Sequence, residues 1–164
     1  MPSLRWQPIV STLLCLCGLG VATYLTITHY DTHLALACPK TTTFNCETVT
    51  TSAQSHILGI PVAVLGLLYF VPMLLLCLPV AWRSADRRIH LARLVLACIG
   101  VGTIIYLIIA ELFLIKAICL WCTSVHLITF ILFVIVATSS PIVLSPGYGD
   151  GVVPAFGVGS DRGA

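Results

Sequence analysis

Four apolar runs, each nearly free of charge, are separated along this chain by polar stretches. The first extends from Trp6 to Tyr30 without an Asp, Glu, Lys or Arg. At a rise of about 1.5 Å per residue, a helix of that length spans a hydrocarbon core of about 30 Å. The second run opens at Gly59-Ile60-Pro61 and stays uncharged to Trp82, and the third runs from Leu94 to about Ile115 with Glu111 near its end. The fourth runs from Ala117 to Ala137. The pattern predicts helices over about 8–30, 58–82, 93–115 and 118–138. Pro61 falls at a helix start, where its missing N–H costs nothing, and Pro72 predicts a kink further in.

Hydrophobic residues make up 59% of the 164 and charged residues only 9%, against about 25% charged in a soluble domain. The chain is therefore expected to be one all-α integral membrane domain over residues 1–140, followed by a Gly- and Pro-containing cytoplasmic tail, 141–164, that is loosely ordered. The net charge of +2 is small and scattered, which argues against nucleic acid. Arg5 before an apolar stretch resembles a signal peptide. The run is too long for one, and no clean small-x-small cleavage site follows, so it is read as a retained first helix. Arg5, Arg83, Arg87, Arg88 and Arg93 lie on one side of the predicted spans and only Lys40 and Lys116 on the other. By the positive-inside rule both termini are cytoplasmic, in the plasma (inner) membrane.

Of the eight cysteines, Cys15, Cys17, Cys77 and Cys98 fall inside apolar runs and read as packing residues. Cys38 and Cys46 lie in the long Thr-rich connection from Asp31 to His56, and Cys119 and Cys122 form a Cys-x-x-Cys pair at the start of the fourth run. Two spans separate the loop from the pair, so both lie on one face, the extracytoplasmic one, where disulfides persist. At a helix N-terminus free N–H groups and the dipole favour a thiolate, the species that attacks disulfides. The pair by itself is equally compatible with two packing cysteines that lie close together. A disulfide relay needs one dithiol that reaches a protein partner and a second near the terminal acceptor; a mobile loop suits the first task and a helix mouth at bilayer level the second, within reach of a lipid-soluble quinone. His126, four residues after Cys122 on the same helical face, is a candidate donor to a quinone oxygen. Glu111 and Lys116 read as a local ion pair or headgroup contacts. The separation of Cys38 from Cys46 is not the usual zinc-ligand spacing, so no metal site is expected.

Cys38 and Cys46, Ser52 shortly after, Gly59-Ile60-Pro61, and Cys119-Leu120-Trp121-Cys122 followed by His126 together resemble the vitamin K epoxide reductase family in its bacterial form, over about Leu14 to Ala137. The resemblance implies a four-transmembrane-helix bundle enclosing a quinone pocket (menaquinone, ubiquinone or a vitamin K type), capped by the extracytoplasmic cysteine loop. It implies that Cys38 exchanges with a thioredoxin-fold (DsbA-like) extracytoplasmic protein, that Cys46 passes electrons to Cys119, and that Cys122 faces the quinone. Ser52, Ser55 and His126 match positions of pocket residues, Ser52 most closely. Many bacterial members carry Pro where this chain has Leu120, a difference that bears on redox potential. Some also carry a fused thioredoxin-like domain; none is recognised in these 164 residues, so the partner is expected to be a separate protein.

The reading that follows is a membrane thiol-disulfide oxidoreductase that oxidises its partner and supports extracytoplasmic disulfide formation. Two others stand beside it: an animal-type vitamin K epoxide or quinone reductase using the same cysteines, and a non-enzymatic membrane subunit with a structural Cys38–Cys46 disulfide. The unrelated four-helix disulfide oxidase of the bacterial inner membrane places its Cys-x-x-Cys in the first extracytoplasmic loop, the reverse of the order here.

Overall fold

The computed structural model describes residues 6–31, 36–38, 41, 45–57, 59–84 and 86–143. Arg5 and Lys40, two of the charges used for orientation, and the tail from residue 144 lie outside the described residues.

Helix α1 (Gln7–Tyr30) carries Pro8 in its first turn, where proline is tolerated. Its buried residues Gln7, Ser11, Cys15, Gly18, Ala22 and Leu25 recur every three or four positions and form one stripe. Against that stripe lies α3 (Val62–Cys77). The approach is close because small residues meet there: a Cβ on Gly18 would stand 2.3 Å from the Phe70 ring, and one on Gly66 3.3 Å from Ala22.

The second apolar run departs from a single helix over 58–82. Gly59-Ile60-Pro61 does not form a first helical turn. Ile60–Pro61 is strand β2, paired antiparallel with β1 (His56–Ile57), and Gly59 sits at φ 80°, which glycine alone adopts freely. Helix α3 continues through Pro72 and ends at Leu78, whose extended backbone is what a residue before proline prefers; Pro79 then starts α4 (Pro79–Trp82). The carbonyls stranded at the end of α3 find partners on other helices. Thr12 Oγ1 donates to the Cys77 carbonyl at 2.8 Å, and Arg93 Nε to that of Leu76 at 2.8 Å.

Arg93 is thus not a surface charge of a connection, as its sequence position suggested. It is buried, and its guanidinium lies 3.9 Å from the Trp82 ring centroid. The helix that carries it, α5 (Arg87–Ile109), begins six residues earlier than 93 because Asp86 caps it, its Oδ1 accepting from Arg88 N–H at 2.9 Å. α5 passes into a π-helical segment, Ala110–Ile115, which ends at Lys116 in the left-handed conformation at φ 57°. Helix α6 (Leu120–Val143) then runs back.

Helices α1 and α5 each pack on both α3 and α6, so the four close around one core of Cys15, Ala22, Phe70, Met73, Cys77, Ala97, Leu132 and Val136. Three helical stretches, Gln7–Tyr30, Arg87–Ile115 and Leu120–Ser140, are long and apolar enough to cross a membrane; Val62–Cys77 is apolar but shorter. Their outward residues, among them Leu13, Leu75, Ile99 and Phe130, are exposed and apolar, as a lipid-facing surface requires.

Candidate functional site

A second buried cluster lies apart from the bundle core. It contains Cys46, Val49, Ala117 and Cys119, with Cys38, Trp121 and Cys122 packed on it. Cys38 and Cys46 are joined by a disulfide. Cys46 opens the short helix α2 (Cys46–Thr50), which is capped by Asn45, whose side chain accepts from Thr48 N–H at 3.1 Å. The same Asn45 donates its backbone N–H to the Ile118 carbonyl at 3.2 Å, which sets Cys46 beside the residue preceding Cys119. Ala37, next to Cys38, is tied from two directions: its carbonyl accepts from Trp121 Nε1 at 3.0 Å and its N–H donates to Tyr24 Oη at 3.0 Å. The Tyr24 and Trp121 rings themselves meet at 4.9 Å. All four cysteines singled out in the sequence are therefore gathered at one end of the molecule.

Cys119 takes the capping position of α6. Its carbonyl accepts from Thr123 N–H at 2.9 Å and its Sγ from Cys122 N–H at 3.3 Å, so sulfur does here what a Ser or Asp oxygen does at other N-caps. The hydrogen bond with the Cys122 thiol, strengthened by the Cys122 and Trp121 backbone N–H groups, holds the Cys119 thiol below its ordinary range; burial and the nearby Glu111 oppose this. Cys119 is fully buried and Cys122 only partly.

Cys122 lines a cavity enclosed by α1, the loop, α3, α5 and α6. Its walls are largely apolar, from Ala22, Leu25, Val62, Leu107 and Val125, and besides Cys122 its hydrogen-bonding side chains are few: His29, Thr50, Gln54, Ser55, Glu111 and His126. His126, which is buried, makes no hydrogen bond to another described residue and faces this space. Of the two serines, Ser55 lines the cavity and Ser52 does not. Ser52 lies behind it, its hydroxyl donating to the Val49 carbonyl at 2.8 Å and its own carbonyl accepting from Ser55 Oγ at 2.6 Å.

Glu111 is the residue whose place differs most from its reading in the sequence. It is buried and lines the cavity. Lys116 alone of the two is exposed. The signal was available, since a lone acidic residue within an apolar span is a functional candidate by default. His29 and Gln54 had no comparable signal.

The helices and this site define an apolar helical protein with a disulfide beside a Cys-x-x-Cys pair at the mouth of a cavity. A family model described as the vitamin K epoxide reductase family matches residues 9–137, and the chain belongs to that family. Among curated proteins, none matches this chain.

Proposed function

We propose that the protein is a quinone-dependent membrane thiol oxidase that draws electrons from an extracytoplasmic thioredoxin-fold protein. Family membership supports a redox role for the cysteines. The observation that carries the finer reading is the placement of Cys46 and Cys119 in one buried cluster while Cys122 opens onto the cavity.

The relay follows from that order. A partner thiolate attacks Cys38 Sγ, the Cys38–Cys46 bond breaks, and Cys46 leaves as a thiolate. Cys46 then attacks Cys119 of an oxidised Cys119–Cys122 pair, and Cys122 is released facing the cavity. Resolution of the mixed disulfides returns Cys38–Cys46 and leaves Cys119 and Cys122 as thiols, the distribution of bonds found here. A quinone supplies, when bound, an acceptor for two electrons and two protons. The lining suits such a ring: the walls are apolar, and the buried His126, with no hydrogen bond to another described residue, would donate to one of its oxygens.

In this reading α3 and α4 together make the second of four crossings, since Val62 to Trp82 covers about 30 Å. The exposed Arg83, Arg87 and Arg88 mark the cytoplasmic end, and the loop with Cys38 and Cys46 covers the cavity from outside. The deciding experiment uses purified protein in detergent with a small dithiol as reductant. Wild type is expected to reduce quinone and Cys122→Ala to be inactive; equal rates in both would overturn the proposal.

A further inference from the structure

The π-helical segment does something that a plain α-helix ending would not. Leu112, Phe113 and Leu114 face outward and are exposed, while Glu111, next to them in the chain, is turned inward and buried. π-Helical turns are uncommon and concentrate at functional sites. Here the inserted turn delivers a carboxyl group to the two spaces beside Cys119 and Cys122. Glu111 and His126 both line the inner cavity, and both also line a groove between α5 and α6 formed by Ile104, Ile108, Leu127 and Phe130.

Among the described residues no Lys or Arg lines either space. The titratable groups around Glu111 are His29 from α1, Cys119 from the connection, and Cys122 and His126 from α6; the residues of α2 and α3 that line the cavity are not titratable. A carboxyl group held in such surroundings without a cation is costly to keep charged, and a protonated one is a ready proton donor. Glu111 lines the inner cavity together with Cys122, whose N–H donates to Cys119 Sγ at 3.3 Å, so the carboxyl group lies at the dithiol whose protons must leave.

We propose that Glu111 is the proton carrier of this redox site, accepting the Cys119 thiol proton and releasing it to an oxygen of the acceptor bound in the cavity; the assignment rests on the quinone-dependent reading above. The balance closes. Two thiols, Cys119 and Cys122, lose two electrons and two protons as the Cys119–Cys122 disulfide forms, and the acceptor gains both. One of the protons travels through Glu111, which ends each cycle as it began.

The test uses the full chain in detergent. Glu111→Gln keeps the size and polarity of the side chain but cannot carry a proton. It is expected to lower kcat for quinone reduction by dithiol about 10²-fold with KM for quinone changed less than about threefold. Glu111→Asp, which keeps an acid, is expected to recover at least about a tenth of the wild-type kcat. A readout without quinone is the pH dependence of Cys119 alkylation by a small thiosulfonate in a Cys122→Ala background. Glu111→Gln is expected to move its midpoint to lower pH, because a negative charge beside the thiolate is removed. A Gln variant with wild-type kcat, an Asp variant no better than the Gln variant, or an unmoved alkylation midpoint would each overturn the assignment. Wild-type protein that reduces no quinone would instead sink the redox reading on which it rests.

Discussion

The molecule holds two pairs of free cysteines, each within one packed cluster, and their surroundings differ. Cys15 on α1 and Cys77 at the end of α3 are both fully buried in the bundle core among Ala22, Phe70, Met73 and Leu132. Neither lines either of the two spaces at the other thiol pair. Cys119, by contrast, caps a helix, its Sγ accepting from Cys122 N–H at 3.3 Å, and Cys122 opens onto a cavity beside the Cys38–Cys46 disulfide. Both pairs sit within a packed cluster. What separates them is a helix N-terminus that favours the thiolate, access for an acceptor, and a neighbouring cysteine pair to exchange with.

The largest expected effect lies in removing the reactive pair. Cys119→Ala or Cys122→Ala is expected to abolish quinone reduction, whereas Cys15→Ala or Cys77→Ala should leave its rate within about twofold; any larger loss in the core variants erases the distinction. Cys38→Ala and Cys46→Ala come next. Each should block electron transfer from a protein thiol and spare reduction by a small permeant dithiol. If all four variants behaved alike toward both reductants, the order of the relay would be wrong.

Stability separates the pairs in the opposite sense. Gly18→Ala, which drives a methyl group to 2.3 Å from the Phe70 ring in the bundle core, is expected to cost about 1–3 kcal/mol in thermal or denaturant unfolding, with little change in the intrinsic chemistry of Cys119. An unchanged midpoint would mean that α1 and α3 are not packed as closely as described. Smaller again is the pH effect. Because the hydrogen bond from Cys122 is the largest influence holding the Cys119 thiol low, Cys122→Ala should raise the pH at which Cys119 alkylates toward the usual value of about 8.5. A midpoint that fell or stayed put would reverse the assigned sign. Trp121→Phe, which keeps the ring contact with Tyr24 but loses the 3.0 Å hydrogen bond to the Ala37 carbonyl, should slow transfer from a protein thiol a few-fold and leave the small-dithiol rate alone.

Several features of the site are legible in the residues alone. The four apolar runs, the placement of Cys38 and Cys46 between two of them and of Cys119 and Cys122 at the very start of another, and the expectation that loop and motif share one face follow from hydrophobicity and order. The family's motifs pointed to Ser52, Ser55 and His126 alike; Ser55 and His126 line the cavity, while the Ser52 hydroxyl is turned to the Val49 carbonyl. Arg93 looked like part of a cytoplasmic basic connection, but Asp86 starts the helix early and draws Arg93 into the core, where α3 leaves a carbonyl unpaired. These are contests between local signals that only three-dimensional neighbours decide.

By itself, the order of residues determined that the chain is apolar and helical and which cysteines stand apart from the packing ones. Such properties are sums over neighbours in the chain: hydropathy adds along a run, and a Cys-x-x-Cys spacing is local. The tertiary structure alone decided that Cys46 shares a cluster with Cys119, that Trp121 reaches back to Ala37, and that a π-helical segment turns Glu111 into the cavity that Cys122 and His126 line. Those contacts join residues far apart in sequence or depend on how a helix ends, and both are settled by packing rather than by periodicity.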